Sequence, residues 1–215
     1  MARGKELGLD GFRFYVLGRC GVLGDVEPKV VQSAMGYFEP GMVTKLWDSA
    51  RDRLQPREAG REYLACAQNF GIAKFSGLDG LEAYTEAAAK VVSAQDPGAL
   101  ALFSGIAAEP LASDPAARSM QLTSVLREMR GSVHLAALAA SGLSPEMAHR
   151  VRRPDDVAMF GWSEGAEVTD DHQGRWQAAE TLTDAMLVAA WSCLTEAEGQ
   201  TIIDTVSAMQ AVLAE

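Results

Sequence analysis

The chain has 215 residues, 48% hydrophobic and 22% charged, enough for one large domain or two small ones with a sizeable core. A formal net charge of −10 and a sequence pI of about 4.8 argue against a protein whose affinity comes from neutralising phosphates. Three widely spaced cysteines, Cys20, Cys66 and Cys193, form no CxxC pair, which argues against a disulfide framework and a cysteine-based zinc site.

The first residues lack the apolar core of a signal peptide, and no apolar run reaches membrane-span length, so a cytoplasmic protein without membrane contact is expected. Residues 1–26 are glycine-rich, and Phe12 to Leu17 reads as a short extended segment. Everything beyond it reads as helix. Pro28 suits a first helical turn, and Val30, Val31, Ala34, Met35 and Phe38 follow at helical spacing. Pro40 and Gly41 end that helix, and another begins at about Met42. Pro56 opens a third, with Ala59, Tyr63, Cys66 and Phe70 on one face; Leu81, Tyr84, Ala88 and Val91 mark a fourth. A connector, residues 94–119, carries breaks at Pro97, Gly105, Pro110 and Pro115. It divides an N-terminal glycine-rich and helical half, 1–96, from a C-terminal helical half, 97–215.

Asp114-Pro115 starts a helix with the stripe Leu122, Val125, Leu126 and Met129. Its continuation, with Gly142 as a turn and Ser144-Pro145 as a helix start, predicts a helix-turn-helix-like element over Ser132 to Arg153. The second helix ends basic, with His149, Arg150, Arg152 and Arg153. Its first turns hold Pro145, Glu146, Met147 and Ala148, which are poor readers of base edges, so a packing hairpin is favoured over DNA recognition. Two terminal helices follow. One should bury Ala179, Leu182, Met186, Ala189 and Cys193. The other, after a capping-box spacing at Thr195 to Glu198, should bury Ile202, Val206, Met209 and Leu213. The fold class expected is all-α: a multi-helix domain with a degenerate winged-helix element.

The stretch "LREMRGSVHLAALAASGL", Leu126 to Leu143, resembles "LREHRGDGHVAALLAAGL" of the actinobacterial SalK-like proteins, an uncharacterised family labelled helix-turn-helix. "FRFYVLGRCGVLGDVEPKVVQSAMGYFEP" and Phe160-Gly161-Trp162-Ser163 are similar to that family in the same order. The chain departs from it after Ser163, where the segment that would form a wing is reduced to "EGAEVTDDHQGRW", and at the start, where an early helix is absent. The resemblance implies a helix-turn-helix protein and directs attention to Arg19, Glu128, Arg130, His134 and Trp162.

On a helix through Gly131, Arg130 and His134 stand four residues apart on one face. Together they would clamp a carboxylate or phosphate, and the histidine would serve as a general base. The structural alternative pairs Arg130 with a carboxylate such as Glu128 and leaves His134 packed. Tyr37, Phe38 and Trp47 are candidate pocket walls, though most such residues are core. "GRCGVLG" fits neither a phosphate loop nor a dinucleotide fingerprint and reads as a structural turn; "TDDHQ", 169–173, reads as an exposed loop and not a metal site. Nothing selects a cofactor.

The leading expectation is a small-molecule-binding protein of winged-helix descent that holds an amphipathic ligand in a helical pocket. One alternative is an enzyme using His134 as acid–base with Arg130 or Arg19 holding an anion. The other is a transcriptional regulator contacting DNA through Arg150, Arg152 and Arg153. A homodimer through the last two helices is also expected.

Overall fold

The computed structural model describes residues 2–163, 165 and 167–214. Within these residues there are eleven α-helices and no strand. Five helices start on a proline in the first turn, where its missing N–H costs nothing: α3 (Pro28–Met35), α4 (Pro40–Arg51), α5 (Pro56–Phe75), α8 (Pro115–Ala140) and α9 (Pro145–Arg152). Pro40 is therefore the first residue of α4, not a gap before it. Glu39 caps that helix, its carboxylate accepting from the amides of Gly41 and Met42.

Two short helices open the chain, α1 (Ala2–Glu6) and α2 (Phe12–Cys20). The extended segment expected over Phe12 to Leu17 is thus helical. Phe14, Leu17 and Gly18 are buried, and Gly18 together with Gly21 of the 3-10 turn that follows allows close approach to α5. A Cβ on Gly18 would lie 2.6 Å from the Tyr63 Cβ, and one on Gly21 would lie 2.0 Å from the Pro56 carbonyl oxygen. The "GRCGVLG" run is accordingly structural. Because the obstacle at Gly21 is backbone, Gly21→Ala is expected to destabilise by on the order of 3 kcal/mol, read as a lowered midpoint in urea unfolding.

α2, α3 and α4 enclose one core cluster around Phe14, Leu17, Val31 and Trp47. The 26-residue α8 is the axis of the rest, packed on by α5, α6 (Leu81–Ala94), α7 (Ala101–Ala107) and α10 (Asp170–Trp191). Gly105 is not a break, because α7 runs through it against Val22. The clusters beneath α8 mix residues from both sides of position 96: Val91 with Val125, Tyr84 with Leu122 and Ile202, Phe75 with Ala116 and Met209.

The terminal helices do not pair chiefly with each other. α10 lies on α8 and α6, and α11 (Glu196–Ala214) lies on α6 and α5. Ile202 and Met209 of α11 are buried as expected, whereas Leu213 is exposed. For α10 the expected stripe is off by about one position. Ala179, Thr183, Leu187 and Ala190 are buried, while Leu182, Met186, Ala189 and Cys193 are exposed. The "TDDHQ" loop is in fact the start of α10. The Thr169 hydroxyl accepts from the His172 amide, and His172 Nδ1 accepts from the Thr169 amide, closing a capping box. Of the shortened wing segment, Glu164 and Ala166 lie outside the described residues.

The hairpin expected over Ser132 to Arg153 is the end of α8, a turn, and α9. Gly142 takes φ +65°, which favours glycine, and Ser144 caps α9 by accepting from the Met147 amide at 3.1 Å. Ala137, Leu138, Leu143 and Ala148 close the joint, with Ala179 of α10 against them.

Candidate functional site

α8 carries Thr123, Leu126, Arg127, Arg130, Gly131 and His134 at three- and four-residue intervals, one continuous face of the helix. That face is one wall of a cavity of about 970 Å³. Tyr15 and Arg19, one turn apart on α2, form a second wall, and Tyr37 and Phe38 enter from the turn between α3 and α4. The end of α9 and the 3-10 segment Pro154–Phe160 supply His149, Arg152, Arg153 and Phe160. α10 completes it with Trp176, Glu180, Leu187 and Trp191.

Arg19 makes a bidentate ion pair with Glu128, at 2.9 and 2.7 Å, and donates to the Tyr15 hydroxyl at 3.1 Å. Arg127 reaches the same carboxylate at 2.6 Å. Burial acts to lower the pKa of Arg19, but hydrogen bonding and attraction to Glu128 outweigh it and the net shift is upward. Glu128 is buried behind Arg19 and is that arginine's counterion, not a cavity wall. It does not pair with Arg130.

Arg130 and His134 share a face as expected, yet the anion they converge on belongs to the chain. Glu180 Oε2 accepts from Arg130 at 2.7 Å, and Glu180 Oε1 stands 3.5 Å from His134 Nε2. On its other side, His134 Nδ1 lies 2.8 Å from the Thr183 hydroxyl, which lies 2.7 Å from the Ala179 carbonyl. A 2.7 Å contact between two oxygens requires a proton between them, so the hydroxyl donates to Ala179 and the ring must donate from Nδ1. Nε2 is then a bare acceptor, and its 3.5 Å approach to Glu180 is too long for a strong bond.

Tyr37 stacks on His134 at 6.3 Å and 20°, and burial, with Glu180 adding to it, pushes its phenol up to about 12, so it stays protonated. Tyr37 is braced from behind: its carbonyl accepts from Trp162 Nε1 at 2.8 Å. Trp162 therefore supports the wall without lining it, and it borders a separate small pocket near Pro154. Trp47 is fully buried in the N-terminal core, donating to the Val26 carbonyl, and takes no part in the cavity. His149 is also buried, packed 4.2 Å from the Phe160 ring, with Nε2 unpartnered.

The basic residues at the end of α9 divide. Arg150 is held by Glu146 and by the Ser163 carbonyl. Arg152 has no carboxylate within 4 Å among the described residues, and the carboxylate of Asp156 is 3.8 Å from Arg153. Residues 145–151 are all buried or partly buried, and only Arg152 of this helix is exposed. A recognition helix would need its first turns free.

Trp176, Glu180, Leu187 and Trp191 were not singled out from sequence. Their four- and seven-residue spacing is a helical stripe in its own right, beside the apolar one. Among the described residues no group of three His, Cys, Asp or Glu stands together as a metal site, and no helix is long and apolar enough to cross a membrane.

Burial lowers the pKa of both His134 and His149, which favours their neutral forms in the fold. The unfolded chain takes up these protons near the ordinary value of 6.5. Below that pH it binds more protons than the native state, so their stabilising contribution is complete above 6.5 and declines as pH falls. Unfolding free energy is expected to drop as pH falls through about 6.5, and His134→Asn should flatten that slope. Urea titrations at stepped pH check this.

What fold and site define is an all-α protein whose helix-turn-helix hairpin closes one end of an arginine-lined cavity. The chain belongs to a helix-turn-helix family, whose model matches residues 1–158. That span includes the hairpin and stops before α10. No curated protein and no solved structure matches the chain.

Proposed function

We propose that the protein binds a small amphipathic anion in the cavity between α2, α8, α9 and α10. The observation that carries this is a convergence of charge and aromatic surface. Arg19, Arg127, Arg130, Arg152 and Arg153 line a space whose wall carries one carboxylate among the described residues, Glu180, which engages Arg130. Glu128 behind the wall engages Arg19 and Arg127, so Arg152 and Arg153 are left for a ligand, in a chain with net charge −10. Rings from Tyr37, Phe38, Phe160, Trp176 and Trp191 supply the apolar walls, and the volume suits a drug-sized molecule. A positive cavity in an acidic protein concentrates anions there. The motifs of Leu126 to Leu143 support the narrower SalK-like membership, and the hairpin supports a helix-turn-helix ancestry in which α9 has become a wall of the site. Acid–base use of His134 is the second reading, favoured by its bare Nε2.

The test is titration with naphthoate, an aryl carboxylate, followed by fluorescence. Binding should weaken with salt and fall about tenfold, or 1.4 kcal/mol, in an Arg152→Ala, Arg153→Ala double variant. A nanomolar shift of duplex DNA at physiological salt, with no naphthoate uptake, would replace this reading with that of a regulator.

We propose a homodimer contact through α10, where Leu182 and Met186, four residues apart on one flank of the helix, are exposed. Sedimentation should show a dimer at micromolar concentration; monomer alone would remove this contact.

A further inference from the structure

The two acceptors that face each other at His134 and Glu180 say something about the ligand. The Thr183 hydroxyl is committed to the Ala179 carbonyl at 2.7 Å, so His134 is held as the tautomer protonated on Nδ1. Its Nε2 and Glu180 Oε1 stand 3.5 Å apart on the cavity wall, both acceptors, with no proton between them. An acceptor pair so placed is incomplete until a donor enters. Arg130 already neutralises Glu180 through Oε2 and keeps the surroundings positive, which disfavours an ammonium ion there. A neutral hydroxyl fits. The ring of Tyr37 stacked on His134, with Trp176 on the same cavity, favours an aromatic carrier for that hydroxyl. Arg152, free of carboxylates within 4 Å among the described residues, and Arg153 remain for the anionic end.

We propose that the ligand class is a hydroxylated aromatic acid whose hydroxyl donates to His134 Nε2 and whose acid group is taken by Arg152 and Arg153. This rests on the anion-binding reading and adds the donor requirement. Thr183 is then a positioning residue: it touches no ligand but sets which ring nitrogen is bare.

Three probes of like shape test it by calorimetry: hydroxynaphthoate, naphthoate and aminonaphthoate, the substituent across the rings from the carboxylate. Wild type should bind hydroxynaphthoate about five- to tenfold more tightly than naphthoate, the worth of one neutral hydrogen bond. His134→Asn retains a donor towards Thr183 but has nothing in place of Nε2. It should abolish the preference for hydroxynaphthoate over naphthoate, which is a ratio and is read whatever the change does to the affinity the two probes share. Should that variant melt too low to titrate, Thr183→Val serves, since it frees the tautomer and should reduce the preference. Equal wild-type affinities for hydroxynaphthoate and naphthoate would overturn the donor requirement and leave anion binding standing. Tighter binding of aminonaphthoate than of hydroxynaphthoate would overturn the hydroxyl. If neither carboxylate binds, or if binding ignores loss of Arg152 and Arg153, the anion reading falls and this one with it.

Discussion

Glu128→Ala is expected to cost about 3–5 kcal/mol of stability, the usual loss when one member of a buried ion pair is removed and the other stays. Arg19 is the member that stays. Its side chain is only 14% exposed, and Glu128 supplies both oxygens of its bidentate contact. After the change the Tyr15 hydroxyl and the Met35 sulfur remain near it, and Arg127, which shared the carboxylate, adds a like charge. The guanidinium would have to draw water in from the cavity or pull α2 away from α8. Glu128→Gln keeps the shape and one acceptor, so its loss should be smaller. The pair Arg19→Met with Glu128→Leu should recover most of the stability, because the ions are costly to desolvate as well as attractive once paired. Urea unfolding of the four proteins decides it. If Glu128→Ala costs less than about 1 kcal/mol, the pair behaves like an exposed surface bridge.

The α8 wall of the site was legible because it is local. Arg130 and His134 are four apart on one helix, and helical periodicity alone puts them on one face. Their counterion was not legible, since Glu180 lies fifty residues beyond Arg130 on a helix whose apolar pattern misleads. α10 exposes Leu182 and Met186 and buries Thr183, so hydrophobicity points to the wrong face. Thr183 can be buried there because its hydroxyl is satisfied by Ala179 and His134, and such pairing is invisible in sequence. The tryptophans show the same limit. Trp47 and Trp176 are alike in composition terms, but one fills the N-terminal core and the other faces the cavity. At Phe12 to Leu17, a run of apolar residues beside glycines fits a strand or a tightly packed helix equally, and only the partner surface of α5 resolves it. The helix starts at Pro28, Pro56, Pro115 and Pro145 were readable, because proline at a first turn needs no tertiary partner, whereas Pro40 opens a helix where a break was expected and the starts of α2 and α10 carry no proline.

Gly131→Phe is expected to abolish ligand binding without harming the fold. Gly131 sits in the middle of α8, between Arg130 and His134, on the cavity wall. A Cβ built there meets no atom within 4 Å, unlike those at Gly18, Gly21 or Gly71, so a side chain has room. Helical glycine is also costly in chain entropy. Gly131→Ala should therefore stabilise the protein by up to about 1 kcal/mol, seen as a higher melting temperature. Phenylalanine at the same position extends its ring into the space a ligand would occupy. It alters no charge, so the arginines and Glu180 keep their electrostatics, and any lost binding is steric. Naphthoate affinity should fall at least about tenfold in Gly131→Phe and change little in Gly131→Ala. Melting curves of both variants, equal to or above wild type, would show that the fold has survived. Undiminished naphthoate binding by a folded Gly131→Phe protein would mean the anion sits elsewhere, and the cavity would lose its claim as the functional site.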